Sequence, residues 1–208
     1  MDRRLNPSKW SAEMSSIEDF YNPPAWSQGH ISLDDAIFLD RMVREHEPQE
    51  IIEVGVASGC SSAVLLRSLA LLGGPRKLHS FDIVNYCYFD PERPVGTAVE
   101  ELAPQFMEYW SLYTAHRALD AGVQLKGRNI RLAFIDADHR HPWATLDLWA
   151  LLPALAPDAW IVLHDITLAR FSEWKVFGPE FLFESWPGEK TRASESSNIG
   201  AIRLAGNH

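Results

Sequence analysis

Short apolar runs alternate with longer amphipathic stretches from residue 33 onwards. Ile51-Ile52-Glu53-Val54 is an apolar run broken by one acid, and it reads as a buried strand. Further strands are predicted over 78–83, 109–114, 130–135, 160–163 and 199–204. The run at 130–135 is interrupted only by Arg131. Helices are predicted over 33–47, 61–72, 95–107 and 143–152. Ser32 and Asp35 form a capping-box pair that opens the first, with Leu33, Ile37, Met42 and Val43 facing inward and Pro48 stopping it. Gly73-Gly74-Pro75 ends the second, the third runs through Pro104, and Pro142 opens the fourth. Strands alternating with helices pair in parallel through right-handed crossovers. The expected fold is an open, doubly wound α/β sandwich. Residues 1–28, with Pro7, Trp10, Pro23, Pro24 and Trp26, lack periodicity and read as an irregular N-terminal arm that packs by its aromatics. Residues 29–208 then make a single domain.

Composition narrows the function classes. The chain has 208 residues, 46% hydrophobic and 23% charged, which excludes a mainly disordered chain. With 19 basic against 28 acidic residues the net charge is −9, which weighs against unaided binding to nucleic acid. Two cysteines without a Cys-x-x-Cys pair build no disulfide framework, so a reduced, cytoplasmic setting is expected. The longest apolar stretch, 148–163, is cut by Pro153, Pro157 and Asp158, and no membrane span is expected. Residues 1–10 have charges and a proline but no apolar centre, so no signal peptide is expected there.

In doubly wound sheets, ligands bind at the carboxyl ends of the strands, beside the point where strand order reverses. The first such end is Glu53-Val54-Gly55-Val56-Ala57-Ser58-Gly59-Cys60-Ser61. Its two glycines permit a sharp turn and close approach to a ligand, and the following helix offers free N–H groups to an anion. A dinucleotide motif would need glycine at Ala57, and no Tyr-x-x-x-Lys pair accompanies it. A serine-hydrolase elbow would need a glycine where Gly59-Cys60-Ser61-Ser62-Ala63 ends in alanine. Glu-x-Gly-x-x-x-Gly-x-Ser most closely resembles the first motif of class I S-adenosylmethionine (SAM)-dependent methyltransferases. That resemblance implies a Rossmann-like methyltransferase fold. It also implies that Glu53 holds the turn and the methionine end of the cofactor, that Gly55 and Gly59 admit its amino-acid portion, and that Ser61 binds its carboxylate.

Asp82, at the end of the second predicted strand and 27 residues after Gly55, can accept both hydroxyls of a ribose. Nicotinamide and methionine cofactors both carry one. By the same resemblance, Thr114, Ala115 and His116 would lie near the adenine. The densest chemistry is Asp136-Ala137-Asp138-His139-Arg140-His141 after the strand at 130–135, with His164-Asp165 closing the strand at 160–163. If those strands are neighbours, Asp136 meets His164 and Asp165. Carboxylates gathered so closely need a proton or a cation between them. Oxygen ligands with one imidazole suit Mg²⁺, Mn²⁺ or a similar divalent metal.

Phe-Ile-Asp-x-Asp-His, a helix, then a strand ending in an acidic pair is similar to the bacterial O-methyltransferases of the macrocin and cephalosporin-tailoring type. The resemblance runs from Gly29 to Leu204. It implies Asp136 on the cofactor side, Asp136, His164 and Asp165 as metal ligands, and Asp138 or His139 as general base. His164 stands where these enzymes usually carry an acid, and Pro157-Asp158-Ala159 where they carry Pro-Gly-Gly. The implied reaction is metal-assisted methylation of a hydroxyl on a small molecule, a sugar or a phenolic natural product. The alternatives are a non-catalytic or metal-independent SAM-binding protein and, less favoured, an NAD-dependent oxidoreductase. Tyr86, Tyr88 and Phe89, Trp143, and Phe171, Trp174 and Phe177 are candidate lid aromatics. Phe181-Leu182-Phe183 and Trp186 are candidates for a homodimer surface. His141 reads as a helix cap and Arg140 as a solvated loop residue.

Overall fold

The computed structural model describes residues 16–171 and 176–206. Residues 1–15 of the expected arm, with Pro7 and Trp10, and the lid candidate Trp174 lie outside the described residues. The elements run α1 (Ile17–Phe20), α2 (Leu33–His46), β1 (Glu50–Val54), α3 (Cys60–Leu72), β2 (Lys77–Asp82), β3 (Tyr86–Cys87), β4 (Asp90–Pro94) and α4 (Thr97–Leu102). A 3₁₀ turn (Pro104–Tyr109), β5 (Trp110–Thr114), α5 (Ala118–Gln124), β6 (Ile130–Ile135), α6 (Trp143–Leu151) and β7 (Leu155–His164) follow. A 3₁₀ turn (Leu168–Arg170), α7 (Gly178–Ser185), β8 (Lys190–Arg192) and β9 (Ile199–Arg203) complete the chain.

The seven-stranded sheet has the order β5-β2-β1-β6-β7-β9-β8. The pairs from β5 through to β7 are parallel, and β9 runs antiparallel to both β7 and β8. The chain leaves β1 towards β2 and β5 and then crosses to β6 on the other side. The switch point therefore lies between β1 and β6. This is the Rossmann-like, mostly parallel fold that the alternation of elements implied.

Alternation along each central strand divides the core between the two faces. Ile51, Leu132 and Phe134 join α2 and α3 on one face, while Ile52, Ala133 and Ile135 join α5 and α6 on the other. The capping box of α2 forms as expected, with Ser32 Oγ accepting from Asp35 N–H at 3.2 Å and Asp35 Oδ2 accepting from Ser32 N–H at 3.0 Å. Met42 and Val43 face the core, Ile37 packs against it partly buried, and Leu33 in the first turn of α2 is 40% exposed. A buried Asp40 clamps α2 to α3 through Arg67 Nη1 at 3.2 Å and Ser68 Oγ at 2.6 Å.

Several expectations needed correction. The helix expected through Pro104 stops at Leu102 and resumes as a 3₁₀ turn, because proline lacks the N–H that an α-helix would need there. The strand expected at 160–163 reaches back to Leu155, and its extra residues are taken up by a shift of register against β6. The hairpin β3–β4 and the short α5, α7 and β8 carry too few residues for periodicity to register. Leu182 and Phe183 face the core and Trp186 donates to the Arg203 carbonyl at 3.0 Å, so this stretch presents only Phe181 as a largely exposed apolar ring. From residue 16 the arm is packed. Tyr21 is buried with its hydroxyl donating to the Ile31 carbonyl at 2.6 Å, and Trp26 donates to Glu101 at 2.9 Å. Among the described residues, no helix is long and apolar enough to cross a membrane.

Candidate active site

The carboxyl ends of β1, β2, β5, β6 and β7 meet around the switch point. Gly55 leaves β1 at φ +88°, and a Cβ there would sit 1.9 Å from the Asp136 carbonyl oxygen. The turn and the acidic loop are thus in contact through backbone, and Asp136 N–H donates to the Val54 carbonyl at 2.9 Å. Gly59, at φ +94°, caps α3, and Ala98 N–H donates to the Ser58 carbonyl at 2.8 Å, tying the turn to α4. Ala57 at φ 46°, Ala115 at φ 58° and Asp165 at φ 59° all hold positive-φ backbone just after strand ends around the switch point. Such conformations cost energy for residues with a Cβ and gather at functional sites.

Glu53 lies beneath the turn, fully buried. Its carboxylate accepts from Ser61 at 2.7 Å, Ser62 at 2.6 Å and Ser80 at 2.5 Å, joining β1, α3 and β2. Burial pushes its pKa up to about 7; the three hydroxyls oppose that shift without cancelling it, and the charge of Asp136 adds to it. Ser61 gives its single proton to Glu53 in this arrangement. Asp82 is turned to the glycine turn, with Oδ2 accepting from Val56 and Ala57 N–H at 2.9 and 3.0 Å and Oδ1 from Val84 N–H at 3.1 Å. His116 folds back beside β2, its N–H donating to the Asp82 carbonyl at 3.0 Å and its Nδ1 to the Thr114 carbonyl at 2.7 Å. Ala115 is the left-handed residue between them.

β6 and β7 are neighbours in register, Ile135 opposite Leu163, which brings Asp136 to His164 and Asp165. His164 Nδ1 lies 3.3 Å from Asp136 Oδ1 and 3.6 Å from Asp165 Oδ1. His139 Nε2 lies 3.2 Å from Asp136 Oδ1 and 3.1 Å from Asp165 Oδ2. Among the described residues, Asp136, His139 and Asp165 have ligand atoms all within 4.8 Å of one another. Burial works to raise the Asp136 pKa, but the charge of His164 and hydrogen bonds from both imidazoles outweigh it and hold the carboxyl well below its usual range. Burial likewise works to lower both imidazoles, and their carboxylate partners outweigh it and raise them. Two carboxylates with an imidazole nitrogen beside them also offer an oxygen-rich donor set that fits a divalent cation.

Of the two candidate bases, only His139 points into the cluster. Asp138 is held by Arg140, which donates from its backbone at 3.0 Å and from Nε at 2.9 Å, and those bonds lower its pKa. Arg140 is exposed, as expected of a loop residue, and His141 stacks on Phe177 at 5.3 Å between ring centres instead of capping α6. Two residues at the site escaped the sequence reading. Asn198, just before β9, donates to Asp165 Oδ1 at 2.6 Å. Asp35, read only as a helix cap, meets His164 Nε2 at 3.3 Å. The hairpin sets Tyr88 beside Gly29, with its ring surface largely exposed.

Residues 52–166 match a family model described as "Methyltransferase domain". No curated protein matches the chain. Among solved structures, the cofactor-bound protein Rv0187 from MTB aligns with a TM-score of 0.63 at 18% identity, over 98% of this chain and 91% of its own. The O-methyltransferase TomG from Streptomyces achromogenes, solved with SAM and involved in tomaymycin synthesis, aligns at 0.62 and 18%, over 86% and 82%. An O-methyltransferase from Bacillus cereus, solved with SAH, aligns at 0.56 and 19%, over 94% and 96%. At these identities the likeness is one of fold.

Proposed function

The chain belongs to the methyltransferase-domain family, and from that premise we propose that it methylates a hydroxyl of a small molecule, using S-adenosylmethionine and a divalent ion. The observation that carries this reading is the meeting of Asp136, His139, His164 and Asp165 directly against the glycine turn. Glu53, Gly55, Gly59, Ser61, Asp82, Ala115, His116 and Asp136, at or beneath the strand ends by the switch point, are the residues assigned to the cofactor. TomG and the Bacillus cereus enzyme, of the same fold, were solved with SAM and SAH.

The sulfonium methyl group is already electrophilic, so what the protein supplies is alignment and a deprotonated acceptor. Asp136, His164 and Asp165 would hold the divalent ion, such as Mg²⁺. When bound, such an ion lowers the pKa of a hydroxyl and orients it. His139 is the group assigned to proton removal, since Asp138 is occupied by Arg140. The acceptor oxygen bonds to the methyl carbon as the carbon–sulfur bond breaks, S-adenosylhomocysteine leaves, and the acceptor proton passes to His139. Tyr88, largely exposed, and Trp143, about half exposed, are suited to cover a sugar or phenolic acceptor.

Calorimetry with SAM and with NAD, then a methyl-transfer screen on sugars and phenols with Mg²⁺, tests the reading. SAM binding and methylated product are expected. Preference for NAD would overturn it in favour of an oxidoreductase, and SAM binding without product in any metal would favour a non-catalytic binder. The variant Asp165→Asn should lose turnover while keeping SAM affinity within a few fold. Full activity of that variant, or of the wild type in excess chelator, removes the metal role.

A further inference from the structure

We infer that Asp35 is a positioning residue for the acidic cluster: it holds the His164 ring with the proton on Nε2, leaving Nδ1 as the nitrogen that faces a bound cation. This inference rests on the metal reading above. Asp35 lies on α2, more than a hundred positions from His164 in sequence, yet its Oδ2 is 3.3 Å from His164 Nε2. A carboxylate only accepts hydrogen bonds, so Nε2 carries the hydrogen there. The opposite nitrogen, Nδ1, is the one within 3.3 Å of Asp136 and 3.6 Å of Asp165. His164 thus has one carboxylate behind it and two in front, and a cation bound in front takes the place of a proton on Nδ1 while Nε2 keeps its own.

A plain helix cap does not account for Asp35. Ser32 already satisfies the cap, donating its N–H at 3.0 Å and its hydroxyl at 2.7 Å to Oδ2. A cap acid ordinarily keeps its charge in water, whereas Asp35 is 4% exposed. Burying a carboxylate needs a further charged or strongly donating partner, and His164 is the one it faces. Metal-bound histidines commonly donate their other N–H to a carboxylate, which fixes ring and tautomer. The path Asp35–His164–cation site reproduces that arrangement across two elements that share no local sequence.

The test is Mn²⁺ binding by calorimetry to the full chain as wild type, Asp35→Asn and Ser32→Ala. In Asp35→Asn the new amide can turn its NH₂ towards Nε2, which moves the ring proton to Nδ1 and blocks the cation side. Affinity should fall about 10- to 100-fold. Ser32→Ala removes the cap but keeps the Asp35–His164 contact, so its affinity should stay within about threefold of wild type. Equal affinity of Asp35→Asn and wild type, or equal losses in both variants, overturns the positioning role. Absence of Mn²⁺ binding in the wild type overturns the metal reading itself. Should Asp35→Asn fail to fold, ¹H–¹⁵N spectra of the wild-type His164 ring with Mg²⁺ decide: the proton on Nε2 supports the assignment, and the proton on Nδ1 overturns it.

Discussion

Glu53→Gln isolates one buried charge whose cost can be read from pH alone. In the folded chain the carboxyl titrates at about 7, against an ordinary value of 4.5, because burial disfavours the anion more than three serine hydroxyls favour it. A raised pKa means that the native state holds its proton more tightly than the unfolded chain. The resulting stability is fully present below about pH 4.5 and is lost as pH rises through about 7. At 1.36 kcal/mol per unit, the gap corresponds to roughly 3 kcal/mol, most of it between pH 5 and pH 8. Glutamine keeps the shape and an acceptor oxygen, and the serine hydroxyls can rotate to accept from its NH₂. The variant should therefore match wild type within about 1 kcal/mol at pH 5 and gain on it by roughly 2 to 3 kcal/mol by pH 8. Urea unfolding followed by tryptophan fluorescence at pH 5, 6, 7 and 8 measures this, and other titrating groups cancel in the difference. A difference between the two proteins that stays flat with pH would refute the buried-charge account.

Gly55→Ala forces a side chain onto a φ of +88° and within 1.9 Å of the Asp136 carbonyl; it should cost more than about 2 kcal/mol by thermal unfolding and abolish SAM binding by calorimetry. Asp40→Ala takes the carboxylate away from the buried Arg67, and denaturant titration should show a loss of about 3 to 5 kcal/mol. His139→Asn should lower kcat at least a hundredfold, while Asp138→Asn, which loses only an exposed partner in Arg140, should leave kcat within a few fold in a radiolabelled methyl-transfer assay.

The layered α/β fold was legible because its signals are local. Apolar runs such as 130–135 match the observed strand residue for residue, and Ser32 with Asp35 marks the start of α2 to the residue. Asp136, His164 and Asp165 were legible as a group because parallel neighbours in register bring equivalent strand ends together. The hairpin strands and β8 were not, since they carry no apolar run, nor were α5 and α7, since helices of seven and eight residues make only about two turns.

What the chain alone determined is which residues end the strands, for that follows from hydrophobic period and glycine placement. Only the tertiary structure decided how those residues are shared out. Ser61, Ser62 and Ser80 converge on Glu53, Asp138 is drawn to Arg140, and Asp35 and Asn198 arrive from α2 and the β8–β9 loop to support His164 and Asp165. Hydrogen-bond partners depend on distances across elements remote in sequence, and a linear pattern of polar and apolar positions carries no record of those distances.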